Sequence, residues 1–432
     1  MCFLLPQDLN EIVSIWEEAV NISMEKALVN LPATIGNIAN QLQDVGEYEK
    51  SAQYFLEIND HKSAINSFLS GNLYEKAKEV CKIYSVHNGD AIIEDINKKY
   101  EQFLLSNDQD LSKLESINPS LATKIYGDKN KWNMAYKVAK MHGKSAVVDA
   151  AIEHSQSLFK EGRYIEAVHI LSEKGLQRAE DVLPFYSDLM NMTLVQINES
   201  DTIFITKSEA VELFEECRNL LHSMVSWLSE SGNENKESFQ ELLDLFHLLF
   251  VKSKCAEIES LTTLHSKQCI AMLSYCDWIR CDVLFFDAGR SSKEIKKYQD
   301  AFIYFNHFID ICDAIDDPED EIDYSDFMNS PNISIPHKNI PNKHIYAEKK
   351  REEIRDWVLE MLATADINPT LSSTTGDGSM GKCVVSGRAL GCDDVIVKCR
   401  ACSQPADKSS WNAFVDNFKH CPWCQQTQAP IY

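Results

Sequence analysis

Glycine and proline are scarce, at 15 and 12 in 432 residues. An all-β chain of this length needs turn residues at short intervals, so the scarcity excludes that class and points to long helices with short connections. No window approaches the run of about 18 apolar residues that a spanning helix needs, so no membrane insertion is expected. Basic charge is also short: 42 Lys and Arg stand against 66 Asp and Glu, a formal net charge of −24. A nucleic-acid binder needs a basic face to displace counterions, so no nucleic-acid partner is expected. The opening Cys2-Phe3-Leu4-Leu5 has no basic lead, is too short for the apolar core of a secretory leader, and meets Pro6 at once. No hydrolase triad, phosphate-cradling Gly loop or zincin motif is visible, which leaves nothing to argue for a metabolic enzyme.

Cysteine, by contrast, is plentiful at 14. Cys2, Cys81, Cys217, Cys255, Cys269, Cys276, Cys281 and Cys312 stand singly, mostly on apolar helical faces, where the thiol is a small hydrophobe. With no leader, a reducing intracellular setting is expected.

The body repeats one theme. Gly46-Glu47-Tyr48-Glu49-Lys50-Ser51-Ala52 is echoed by Gly71-Asn72-Leu73-Tyr74-Glu75-Lys76-Ala77, with His61-Lys62-Ser63-Ala64 between them. Lys131-Trp132-Asn133-Met134-Ala135 and Gly162-Arg163-Tyr164-Ile165-Glu166-Ala167 replay it. An aromatic followed by Ala three or four residues on sets a knob beside a hole on one helix face. The spacing predicts a tetratricopeptide-like helical solenoid of irregular repeat length over 1–195, its aromatics forming inter-repeat core rather than a binding stripe. A helical block is expected over 207–317, with helices at Glu209–Leu228, Phe239–Val251, Ile270–Phe286 and Tyr298–Ile315. An acidic, Pro-containing extended segment follows over 318–345, then a helix over 346–366 and a linker over 367–381. The acid run from Asp313 to Asp326 lacks the Gly-centred calcium loop and reads as a solvated face. Asn198-Glu199-Ser200 forms an N-x-S triplet, with glycosylation not expected on an intracellular chain.

The tail, 382–426, reads as a small α+β zinc-binding module. Cys399-x-x-Cys402 and Cys421-x-x-Cys424 can set four thiolates at the corners of a tetrahedron, the geometry of a closed structural Zn2+ site. One site is expected, since Cys383, Cys392 and His420 supply too few ligands for a second. The competing readings are an unmetallated fold and a thiol-redox pair of CxxC motifs. Between the knuckles, Trp411, Phe414, Val415 and Phe418 share a helical face capped by Ser409 or Ser410. Val384-Val385 and Val395-Ile396-Val397 read as two short strands.

Several stretches carry a resemblance. Phe302-Ile303-Tyr304-Phe305-Asn306-His307-Phe308-Ile309-Asp310 with Asp313-Ala314-Ile315-Asp316 is similar to part of the largest subunit of intraflagellar transport complex B. So are Asp323-Tyr324-Ser325-Asp326-Phe327 and Arg351-Glu352-Glu353-Ile354-Arg355-Asp356-Trp357-Val358-Leu359. Cys383-Val384-Val385-Ser386-Gly387 resembles that family's C-V/I-V-T-G motif, and Ala406-Asp407-Lys408-Ser409-Ser410-Trp411-Asn412 its A-N-K-x-D/N-W-N segment. The resemblance covers essentially the whole chain but only the C-terminal quarter of a typical member. Animal members lack the full CxxC set here, which implies a tail that folds without metal and zinc as lineage-specific reinforcement.

The resemblance implies a non-enzymatic scaffold or adaptor of transport trains in the cilium or flagellum, at its basal body and in the cytoplasm. Its partners would be other subunits of complexes B and A, with roles in cilium assembly and turnaround at the ciliary tip. The family's tail is also similar to a U-box, the metal-free relative of the RING domain. That implies, as the alternative, ubiquitin-binding adaptor or ubiquitin ligase activity. Val384, Val385, Trp411, Pro422 and Trp423 would then meet ubiquitin or a ubiquitin-conjugating enzyme, with Pro422 and Trp423 exposed at a knuckle tip. Trp411 can equally fill the small core. Gln425 and Gln426 stand where such ligases commonly carry a cation, which favours binding over catalysis.

Overall fold

The computed structural model describes residues 9–25, 31–84, 89–106, 111–199, 207–256, 258–317, 319, 321–328, 330, 333–338, 340–364, 371 and 378–432. Ser200 of the N-x-S triplet, Asp320, Pro331 and most of the expected linker lie outside them. Among the described residues the fold is α-helical apart from one two-stranded sheet, and none of its helices is long and apolar enough to cross a membrane. The chain forms two compact units, residues 1–146 and 147–432.

The first unit holds α1 (Leu9–Glu25), α2 (Leu31–Asp44), α3 (Tyr48–Glu57), α4 (His61–Ser70), α5 (Tyr74–Ile83), α6 (Gly89–Ser106), α7 (Leu111–Ile117), α8 (Pro119–Asp128) and α9 (Trp132–His142). Each helix packs chiefly on the next, as a solenoid requires. The alanines of the sequence theme are the holes: Ala52, Ala64, Ala77 and Ala135 are all 0% exposed. The turns repeat as closely as the helices. Glu47, Asp60, Leu73 and Lys131 each donate a backbone N–H, at 2.8 Å, to the carbonyl five residues earlier. That is a Schellman closure, which needs one left-handed residue. Gly46 (φ 89°), Asn59 (59°), Asn72 (58°) and Asn130 (54°) supply it. Gly71 serves differently. A Cβ there would lie 2.7 Å from Tyr48 Cβ, so its hydrogen lets the knob of α3 close on the end of α4.

The second unit continues with α10 (Lys144–Lys160, shared across the division), α11 (Tyr164–Lys174), α12 (Leu183–Glu199), α13 (Lys207–Ser231), α14 (Lys236–Cys255), α15 (Thr262–Met272), α16 (Cys281–Glu294), α17 (Tyr298–Asp316) and α18 (Glu348–Thr364). Residues 147–194, read from sequence as the end of the solenoid, share one core with the block that follows. The expected single helix over 270–286 is two. The chain breaks at a 3-10 turn, Leu273–Tyr275, and restarts after Arg280, whose guanidinium chelates Asp282 at 3.0 and 2.8 Å. The segment after α17 is no loose spacer. Phe327 is 1% exposed, His337 is buried against His307 at 2.8 Å, and its backbone N–H donates to the Tyr324 hydroxyl. The start of the acid run is tied down too: Asp313 pairs with Arg355 and Asp316 with Arg351 and His344.

The tail completes this unit with β1 (Ile396–Lys398), β2 (Pro405–Asp407) and α19 (Lys408–Phe418). β1 and β2 pair antiparallel, Val397 opposite Ala406. Val384-Val385 is therefore not a strand. It forms the tip of a turn, and the partner of 395–397 is Pro405–Asp407 instead. The cap of α19 is Asp407, which accepts from the Ser410 N–H at 3.1 Å and the Ser409 hydroxyl at 2.7 Å, not either serine.

Candidate metal centre

Cys399 and Cys402 flank the turn between β1 and β2; Cys421 and Cys424 flank the turn after α19. Their four sulfurs lie within 4.8 Å of one another, and no other such group occurs among the described residues. Cys399 Sγ and Cys424 Sγ are 3.7 Å apart, Cys402 Sγ and Cys421 Sγ 3.8 Å. Bonded sulfurs would sit at about 2.05 Å, so these are not disulfides. Four sulfurs at about 2.3 Å from one zinc ion stand roughly 3.8 Å apart along each edge, which these two separations match.

The donor chemistry agrees. The Ala401 N–H points at Cys399 Sγ at 3.4 Å, as knuckle turns do to a thiolate. Burial works to raise the Cys399 thiol, but the N–H groups of Cys402 and Ala401 outweigh it and hold it below the usual thiol range. Burial and the neighbouring sulfurs push Cys402 up to about 11 and Cys421 higher still. A divalent cation is what lets thiols crowded in this way ionise together. Cys383, Cys392 and His420 do not join it. Cys392 is exposed, and His420 Nδ1 lies 3.1 Å from the Cys421 carbonyl oxygen.

Cys383 occupies a third turn of the same build. The N–H of Gly387, Ser403 and Gln425 donates to the carbonyl of Cys383, Cys399 and Cys421 at 2.8, 2.9 and 3.0 Å. All three donors are left-handed, at φ 74°, 60° and 58°. In the first turn, however, Ser386 stands where the second cysteine of the other two lies. Cys383 Sγ instead accepts from the N–H of Ser386 at 3.3 Å and of Asp407 at 3.4 Å.

The tips of two turns face the helical block. His247 Nε2–H on α14 donates to the Val384 carbonyl at 2.8 Å, and Gln268 Nε2 on α15 to that of Val385 at 2.9 Å. Arg218 on α13 donates from Nη2 to the Trp423 carbonyl. The Trp423 ring lies edge-on to His247, centroids 4.8 Å apart, and to His222 at 5.8 Å. Gly387 leaves no room for more: a Cβ there would meet Leu248 at 2.7 Å.

Of the residues expected to meet ubiquitin or a conjugating enzyme, Val385 and Trp411 are 0% exposed and Val384 is 6% exposed. Pro422 is buried and Trp423 half-buried, where the sequence suggested an exposed tip, because α13 and α14 close over that turn. Trp411 lies in the module core with Phe414 and Val415. Arg218, His247 and Gln268 went unnoticed in the sequence. A signal existed: Arg218 sits on the apolar stripe of Phe214, Cys217, Leu221 and Val225, and His247 interrupts Leu245-Phe246-His247-Leu248-Leu249-Phe250.

No protein-family model matches the chain. Among curated proteins it is 25% identical over 407 residues to the rat (Rattus norvegicus) intraflagellar transport protein 172 homolog, covering 90% of this chain and 22% of that protein. It is 22% identical over 447 residues to intraflagellar transport protein 172 of Chlamydomonas reinhardtii, covering 96% and 24%. With intraflagellar transport protein osm-1 of Caenorhabditis elegans it shares 25% over 354 residues, covering 79% and 19%. The chain thus spans about a quarter or less of the length of the curated relatives it matches. Nearly end to end, it is a relative of intraflagellar transport protein 172, matching the C-terminal region of that protein.

Proposed function

We propose that the chain is a non-enzymatic scaffold of intraflagellar transport trains in the cilium or flagellum, and that its cysteine module is a zinc-stabilised assembly element rather than a catalytic one. One observation carries this reading: the carbonyls at two of the module's turn tips are hydrogen-bonded by buried side chains of the helical block. A module seated in this way works as part of one surface with α13–α15. Long helical faces built from many weak contacts suit train assembly. The partners would be other subunits of complex B and of complex A, the latter connected with turnaround at the ciliary tip.

The ligase reading requires Val384, Val385, Pro422 and Trp423 to leave their present contacts before a conjugating enzyme could reach them. Titrating the labelled, zinc-loaded chain with conjugating enzymes and with ubiquitin separates the two. Silence at those four residues, with capture of train subunits that is lost on deleting 382–432, supports the scaffold. Shifts clustered there, with ubiquitin transfer in a reconstituted assay, would replace it with the ligase.

A further inference from the structure

Arg218 is a buried cation without an anion of its own. Its side chain is 3% exposed, and its hydrogen bonds go to neutral acceptors: His247 Nδ1 at 3.2 Å, Asn219 Oδ1 at 2.8 Å and the Trp423 carbonyl. His247 is neutral here, because burial pushes its imidazole down to about 3. No carboxylate among the described residues lies within ion-pair distance of the guanidinium. Glu216, the nearest in sequence, pairs with His169, and Glu215, whose charge acts on the guanidinium from a distance, accepts from Gln425 Nε2 at the exposed rim. Other buried cations among the described residues are treated differently: Lys78 pairs with Glu75 at 3.2 Å and Lys252 with Asp287 at 2.7 Å. A guanidinium taken out of water with its hydrogen bonds met but its charge unmet is costly.

The missing charge lies beside it. The Trp423 carbonyl that takes the Nη2 hydrogen belongs to the Cys421–Cys424 turn, and the sulfurs of those two cysteines act on the guanidinium. Four thiolates around a divalent ion carry about two net negative charges. The geometry assigns Arg218 the role of counter-charge to that metal–thiolate cage, which makes metal occupancy and docking of the cysteine module on α13 and α14 a single linked equilibrium. The assignment rests on the zinc reading of the four cysteines. Coupling of this kind is reciprocal: the factor by which docked Arg218 tightens the metal is the factor by which the metal tightens docking. The same side chain reaches the first turn through His247, whose other nitrogen holds the Val384 carbonyl. Loss of the metal is therefore felt at Val384 and Val385 as well as at the cage.

The test uses the whole chain and zinc itself. Zinc content and affinity are measured by competition with a chromogenic chelator for the wild type, Arg218→Gln and Arg218→Lys, with amide hydrogen exchange on each. We expect one zinc per wild-type chain, and binding roughly 10–100-fold weaker in Arg218→Gln with its helical signal unchanged. Arg218→Lys, which keeps the charge and loses the planar fork, should recover most of the affinity. Exchange at 383–387 and 421–425 should speed up in Arg218→Gln. Chelator should speed it equally in the wild type and add little in the variant. Wild-type zinc affinity in Arg218→Gln overturns the coupling, as does Lys performing no better than Gln. A wild type that binds no zinc overturns the zinc reading itself, a separate result. Should both variants misfold, the wild type still decides: unchanged exchange at 383–387 on zinc removal sinks the linkage.

Discussion

The Nε2–H of His247 and the carbonyl oxygen of Val384 meet at 2.8 Å across 137 positions of sequence. The same ring accepts from Arg218 through Nδ1. Replacing it with phenylalanine keeps the volume and strands two polar groups. His247→Phe should therefore lose about 1–3 kcal/mol for each group left buried and unpaired. The midpoint of urea unfolding followed by tryptophan fluorescence measures it. A shift worth less than about 0.5 kcal/mol would mean that water reaches both groups.

Acid should weaken the second unit by way of its imidazoles. Burial pushes His247 and His307 down to about 3 and His265 down to about 4. The folded form of each is neutral, so the unfolded chain binds the extra proton. This contribution is fully present above pH ~6.5 and is lost as pH falls toward the folded values. Asp310 opposes it: burial raises its carboxyl to about 6, so its own contribution grows as pH falls through that value. Burial lowers His154, His222 and His337 as well and raises Asp244 and Asp326. The imidazoles thus outnumber the raised carboxyls and leave a net loss in acid, roughly 1.4 kcal/mol per pH unit for each net proton. Denaturant titrations from pH 7 to 4 on chelator-treated chain measure the slope, and His307→Phe should flatten it by about one proton. A flat profile would contradict the buried-neutral assignment.

Chelation should act on one part of the molecule. Cys402→Ala or excess chelator removes the cage, and residues 378–432 should lose protection in hydrogen exchange. The helices of residues 9–142 belong to the first compact unit and should keep theirs. Equal protection of the module with and without zinc would assign its stability to Trp411, Phe414 and Val415 alone.

Gly387 combines a left-handed φ of 74° with a contact that an added methyl would bring to 2.7 Å of Leu248. Gly387→Ala should cost roughly 1–3 kcal/mol through the backbone and the clash together. Pairing it with Leu248→Ala separates the two parts. Relief in the double variant identifies the clash as the main source of the loss, and simple additivity the backbone. A silent Gly387→Ala would show that the turn can shift away from α14.

The gathering of the four cysteines was legible because a CxxC pair dictates its own local turn, and two such turns in one small module need little more to meet. The solenoid was legible for a similar reason: Ala52, Ala64 and Ala77 each find their partners one helix away. Docking was not. Val384 and Trp423 look like tips with nothing to bury against, and what covers them comes from Arg218 and His247, more than 130 residues earlier. Periodicity places a polar residue on an apolar stripe but cannot name its acceptor. The strand at Val384-Val385 failed for a local reason, since Cys383 to Gly387 repeats the turn of the two metal knuckles while lacking the second cysteine that marks them.

The direction of synthesis gives the Arg218–Trp423 contact a temporal side. The two residues are 205 positions apart, so the helix that donates leaves the ribosome long before the turn that accepts. At about 5–20 residues per second, the block spends on the order of ten seconds or more with a charged side chain and an imidazole facing an empty seat. The solenoid has no such wait, because each of its helices finds a neighbour as soon as it is made. A chaperone that guards the nascent chain would thus find its target on α13 and α14, and would be displaced by the arrival of the final fifty or so residues.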